Sequence, residues 1–189
     1  RSRLPGNATT NGKRPSSPGL FDDADNRFKK DPGYRNYVDA IDEIWFFFDV
    51  EEKDIGNWTN RLDIIKRLRK LRKDPKIRVR LLMTTGCIEY WLMLHYRQLA
   101  PPVLAVPDKE RMLAQVVRME PTYRKGNYDA TARIAQNYPT AVKNATIVLQ
   151  NLLQEGMPGL EDTDERNRWL CTKCKTFSTV QEAIIFLES

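Results

Sequence analysis

The stretch Ile44–Asp54, IWFFFDVEEKD, sets five apolar or aromatic residues against four carboxylates within six positions. A short apolar run that ends in a polar cluster predicts a strand buried on both faces, as in a parallel sheet covered by helices. The strand is predicted over Ile44–Asp49, at the centre of such a sheet. Alternate residues of an extended chain point the same way, so Asp49 and Glu51 converge at its C-terminal end. Open α/β sheets take their ligands there. Two such carboxylates suit Mg2+ or Mn2+, hard cations that accept oxygen ligands and keep several waters. Carboxylates this close repel one another, and a cation or a basic partner relieves that repulsion. Glu52 and Asp54 either support such a site or open the next helix with favourable acids. A plain solvated turn between strand and helix is the competing reading.

Downstream the charge reverses. Of the chain's 31 basic and 25 acidic residues, ten and two lie within 61–80, RLDIIKRLRKLRKDPKIRVR; this stretch carries +8 and the rest of the chain −2. Ile64, Ile65, Leu68 and Leu71 form an apolar stripe at helical spacing, predicting a helix over about 57–73 that ends before Pro75. The alternation in KIRVRLLM then predicts a strand over Ile77–Met83, with Arg78 and Arg80 on a partly open face near a sheet edge. Strand, helix and strand make one βαβ unit. The concentrated charge predicts a surface for phosphate-rich partners, carried by Lys66, Arg67, Arg69, Lys70, Lys73, Arg78 and Arg80. A solubilising face is the alternative.

The chain has 189 residues and 41% apolar composition, enough for one domain with a real core. Residues 1–30 are rich in Pro, Gly, Ser and charge and read as an irregular tail; 31–100 form the α/β core, and 101–189 are mainly helical. The chain does not begin with Met and reads as a fragment or as the ordered part of a longer protein. It has no apolar run long enough to span a membrane and no secretory signal, and three cysteines are too few for a disulfide framework, so a reducing cytoplasm is expected. Cys171 and Cys174, in CTKC, are either two free thiols in a turn or half of a metal site. A helix is predicted over 88–99. It carries Glu89 among apolar neighbours, where a carboxylate needs a partner, and His95, the single histidine, which is either a core residue or a site residue. A helix begins near Asp108, two helical segments divide near Pro139, and an extended loop follows. In the last segment Thr179 and Glu182 fit a capping box, and Val180, Ala183, Ile184 and Leu187 make a buried stripe.

Two blocks, DEIWFFFDVEEKD (42–54) and TTGCIEYWLMLHY (84–96), together resemble the RloB-like family. YRKG (123–126), AVKNAT (141–146) and FSTVQEAIIFL (177–187) fit it loosely, so the resemblance covers about residues 40–189. The family is similar to Toprim-type domains, which implies a parallel sheet flanked by helices with an acidic motif after a central strand, here Asp49–Val50–Glu51. Toprim domains also place a glutamate after their first strand; this sequence has no equivalent before residue 40, and its second motif acid is Glu rather than Asp. The resemblance implies an effector of prokaryotic anti-phage defence, partnered with an RloA-type ATPase and acting on DNA or RNA, tRNA included. A Mg2+- or Mn2+-dependent nuclease is the leading expectation. Asp49 and Glu51 would hold the metal, Glu89 would bind it or orient water, and Lys125 and His95 would steady a phosphate. The alternative is a non-catalytic subunit that binds nucleic acid or the ATPase. Phosphoryl chemistry on a free nucleotide ranks third, because no Gly-rich phosphate loop is present.

Overall fold

A computed structural model describes residues 19–189 apart from Leu104 and Cys174. The first 18 residues of the expected tail lie outside the described residues, as does Cys174 of CTKC. Helix α1 (Leu20–Lys30) and a single turn, α2 (Pro32–Arg35), precede strand β1 (Glu43–Val50). A 3-10 turn (Glu52–Asn57) leads into α3 (Trp58–Arg69), then β2 (Arg78–Thr85) and α4 (Ile88–Leu94). The rest is helical: α5 (Val106–Met119), α6 (Tyr128–Ala135), α7 (Tyr138–Gln154), α8 (Asp164–Thr172) and α9 (Gln181–Glu188). The strands pair in parallel, from Glu43 opposite Arg78 to Val50 opposite Thr85. A small parallel sheet flanked by helices, with a helical C-terminal region, is the expected Toprim-like α/β arrangement. No helix among the described residues is long and apolar enough to cross a membrane.

Alternation divides the sheet's side chains. Phe46 and Val50 of β1 and Val79, Leu81 and Met83 of β2 face a core built with Ile64, Ile65 and Leu68 of α3. A second apolar cluster gathers Tyr90, Trp91 and Met93 of α4 with residues of α5, α6 and α7.

The structure corrects several expectations. Leu20–Lys30 is a helix rather than irregular chain. Phe21, Ala24, Asp25 and Phe28 recur at helical spacing, and the Phe21 ring stacks on Phe46 with centroids 4.3 Å apart. Composition concealed that stripe. The two strands also exchange their expected surroundings. β1, expected at the sheet's centre, pairs only with β2 among the described residues, and Phe47 is 54% exposed. β2, expected near an open edge, is buried from Val79 to Thr85. Its outer edge is covered by Phe177–Thr179: Thr179 N donates to Met83 O at 2.8 Å and Thr85 N to Phe177 O at 3.0 Å.

That contact also removes the expected capping box. The Thr179 hydroxyl accepts from Met83 N and donates to Leu81 O, so α9 starts at Gln181 without it. Leu187, expected in the buried stripe, is 62% exposed. The expected loop after α7 contains α8, whose start is capped by Thr163 accepting from Arg166 N at 3.1 Å. Cys171 therefore lies in a helix, not a turn, with its Sγ 3.5 Å from Met83 Sδ in the core.

Candidate functional site

The site grows from the place where β1 stops. Asp49 is its penultimate residue; it is open to solvent on one side, while its carboxyl is crowded by surrounding side chains at the rim. Glu51 ends the extended run at the start of the 3-10 turn, where Asp54 Oδ2 accepts from Glu51 N at 3.0 Å. Asp54 is itself tied to Arg61 at 2.7 Å, so it supports the turn. Asp49 and Glu51 line one cleft of about 440 Å3, together with Phe48, Asn57, Asn60 and Arg61.

Glu89 reaches the same region from the other strand. At the end of β2, Gly86 turns the chain into α4 with φ +73, and its N–H donates to Val50 O at 2.8 Å. An added Cβ at Gly86 would lie 2.0 Å from Val103 O, so both the dihedral and the packing require glycine. The turn is tight, and it sets Glu89 in the first turn of α4, 1% exposed, beside the β1 terminus.

Three carboxylates thus meet two lysines. Lys109 of α5 pairs with Glu51. Lys125 Nζ lies 3.5 Å from Glu89 Oε1, and the buried Tyr123 hydroxyl donates to the same oxygen at 3.2 Å. Burial, then the charge of Glu89, then that of Glu51, raise the Asp49 pKa above its ordinary value, against the pull of Lys109 and Lys125. Glu89 also contributes, after burial, to lifting the neighbouring Cys87 thiol to about 11 and Tyr123 to about 12, which keeps both protonated at neutral pH.

Asp49 and Glu51 offer oxygen donors of the kind that hold Mg2+, which commonly takes one or two carboxylates and completes its octahedron with water and phosphate. Among the described residues no group of three or more His, Cys, Asp and Glu side chains is close enough to share an ion.

His95 is elsewhere. Its ring packs edge-on against Trp91 with centroids 5.1 Å apart, its Nδ1 is 3.1 Å from Trp91 O, and burial lowers its pKa. Its surroundings are those of a core histidine at the end of α4, where Asn144 of α7 donates to Leu94 O at 2.8 Å.

The seven expected nucleic-acid-binding residues divide into two groups. Arg80 is 8% exposed, bidentate on Glu43 at 2.6 and 3.0 Å, with Phe186 stacked 4.3 Å from its guanidinium. Arg67 pairs with Asp25 at 2.9 Å and Arg69 with Asp164 at 2.8 Å. Lys66, Lys70, Lys73 and Arg78 stay exposed. Because β1 and β2 are parallel, the 70–78 segment lies at the end of the sheet where the strands begin. Glu43, the register partner of Arg78, is six residues from Asp49. At about 3.3 Å per residue the two ends are roughly 20 Å apart.

Tyr123 and Lys109 did not stand out in the sequence. Tyr123 had a legible signal, its place two residues before Lys125. Lys109 had none, because only the docking of α5 against α4 brings it to Glu51.

Fold and rim together define a Toprim-like α/β protein with a carboxylate-rich strand terminus. The chain belongs to the RloB-like protein family, whose model matches residues 5–184. No curated protein and no solved structure matches it.

Proposed function

We propose that this protein is a divalent-metal-dependent nuclease that serves as the effector of a prokaryotic anti-phage defence system. The observation that carries the reading is that Asp49 and Glu51 line one cleft where β1 ends, with Glu89 close enough, after burial itself, to raise the Asp49 pKa. An excess of negative charge at the end of a parallel strand favours a cation. Asp49 and Glu51 would hold Mg2+ or Mn2+. The bound ion supplies Lewis-acid polarisation of the phosphodiester and stabilises the leaving oxygen. Glu89, fixed by Tyr123, orients the attacking water, and Lys125 meets a non-bridging phosphate oxygen. The exposed bases at the far end of the sheet add sequence-independent contacts to a substrate long enough to reach them, DNA or RNA, or they dock an acidic surface of an RloA-type ATPase.

The test is cleavage of plasmid, single-stranded DNA and tRNA with Mn2+ by the protein and by Asp49→Asn. Loss of a metal interaction worth several kcal/mol predicts a fall of about 10^3-fold or more. Equal cleavage by the two proteins rejects the site.

A second reading, a non-catalytic subunit that binds nucleic acid or the ATPase, is favoured by one observation: no three ligating side chains cluster among the described residues. Titration calorimetry separates the two. Mn2+ binding that disappears in Asp49→Asn supports the nuclease; a tight protein or nucleic-acid complex without carboxylate-dependent Mn2+ binding supports the subunit.

A further inference from the structure

We propose that Lys109 occupies the cation's seat until a divalent ion binds, and then serves as a phosphate-binding residue of the same site. The inference rests on the nuclease reading of the rim and adds a residue to it. Lys109 is the fourth residue of α5, where a cation opposes the positive end of the helix dipole. Its position there is explained by its partner: the ammonium pairs with Glu51 Oε1, and its charge also acts on Asp49. An ammonium and a divalent ion compete for the same carboxylate oxygens, and the ion brings twice the charge. Once the ion takes Glu51, the ammonium loses its seat. The Lys109 side chain is 26% exposed and can swing on its four-carbon stem. Released from Glu51, its ammonium would be free to meet a non-bridging oxygen of a phosphodiester held at the rim. Lys125 behaves differently, because its partner Glu89 is 1% exposed and is also held by Tyr123.

The experiment compares the unmodified protein with Lys109→Gln and Lys109→Arg. Mn2+ affinity is measured by calorimetry, and binding of a single-stranded phosphorothioate oligonucleotide is measured in Mn2+ over a range of salt. Removing the competing charge should tighten Mn2+ binding about tenfold in Lys109→Gln. The same variant should lose about one unit of the salt slope for the oligonucleotide, while Lys109→Arg keeps the original Mn2+ affinity. An unchanged or weaker Mn2+ affinity in Lys109→Gln overturns the proposal, as does an unchanged salt slope. If neither the unmodified protein nor Lys109→Gln binds Mn2+, the nuclease reading falls and this inference with it; if the unmodified protein binds and Lys109→Gln binds no tighter, only the inference falls.

Discussion

The two ends of the sheet carry opposite charge and use it in opposite ways. Of the ten bases in residues 61–80, five have an acidic partner among the described residues: Arg61 with Asp54, Arg67 with Asp25, Arg69 with Asp164, Arg72 with Asp42 and Arg80 with Glu43, while Lys66, Lys70, Lys73 and Arg78 stay exposed. Where the strands end, Asp49, Glu51 and Glu89 gather near Lys109 and Lys125, and burial together with Glu89 holds the Asp49 proton more tightly than usual. The arginines of the denser cluster are thus mostly neutralised within the fold, while its lysines stay exposed. The smaller one crowds three carboxylates at a single rim. Charge density along a chain therefore does not measure the charge left for a ligand.

Cutting a structural pair at the basic end should have the largest effect on stability. Arg80→Met leaves Glu43 partly buried without its bidentate partner, and a loss of about 3 kcal/mol is expected in urea unfolding. A destabilisation below about 0.5 kcal/mol would mean that Arg80 is a spare surface charge like its neighbours. Gly86→Ala attacks the turn that delivers Glu89. Positive φ and the close Val103 carbonyl predict a loss of about 1–3 kcal/mol, together with impaired Mn2+ binding.

Two pH profiles sharpen the contrast. The folded protein binds the Asp49 proton more tightly than the unfolded chain does, so stability falls as pH rises from 3.8 through the raised folded value. Asp49→Asn removes this deficit and should melt at a higher temperature at pH 7, with the gain vanishing in acid. If Asp49→Asn melts lower at pH 7, the rim holds no surplus of negative charge. His95 acts in the reverse direction. Its folded pKa is depressed by burial, so its contribution to stability is present above pH 6.5 and is lost as pH falls through the lower folded value. Thermal melts of His95→Leu from pH 7 to pH 5 should show a flatter decline; an identical decline removes His95 as its source. The smallest stability change belongs to the exposed lysines. Lys66→Ala and Lys70→Ala should each stay within about 0.5 kcal/mol of the unmodified protein. Each should still lower the salt slope of oligonucleotide binding by about one. An unchanged slope would leave that end of the sheet to a protein partner.

Much of the core was legible because it follows local rules. The apolar run Ile44–Phe48 and the alternation after Pro75 gave both strands within two residues, and the stripe Ile64–Leu68 gave the helix between them. Glu89 was marked by its apolar company, and it is indeed buried and partnered. The α8 helix was missed because its polar sequence shows no clear stripe; its buried residues include Arg166 and Asn167, held by hydrogen bonds to Asp162 and Glu182.

By itself the sequence determined the strand–helix–strand order of the central unit, the acid pair at the end of a strand and the basic stretch that follows, since periodicity and residue type are properties of neighbouring positions. Only the tertiary structure decided which arginines are neutralised, that β2 lies under the 177–179 segment, and that Lys109 and Tyr123 attend the acids. Those outcomes depend on contacts between residues as many as 98 positions apart, as between Thr179 and Leu81, and on the water that packing removes. Neither is written in any local pattern.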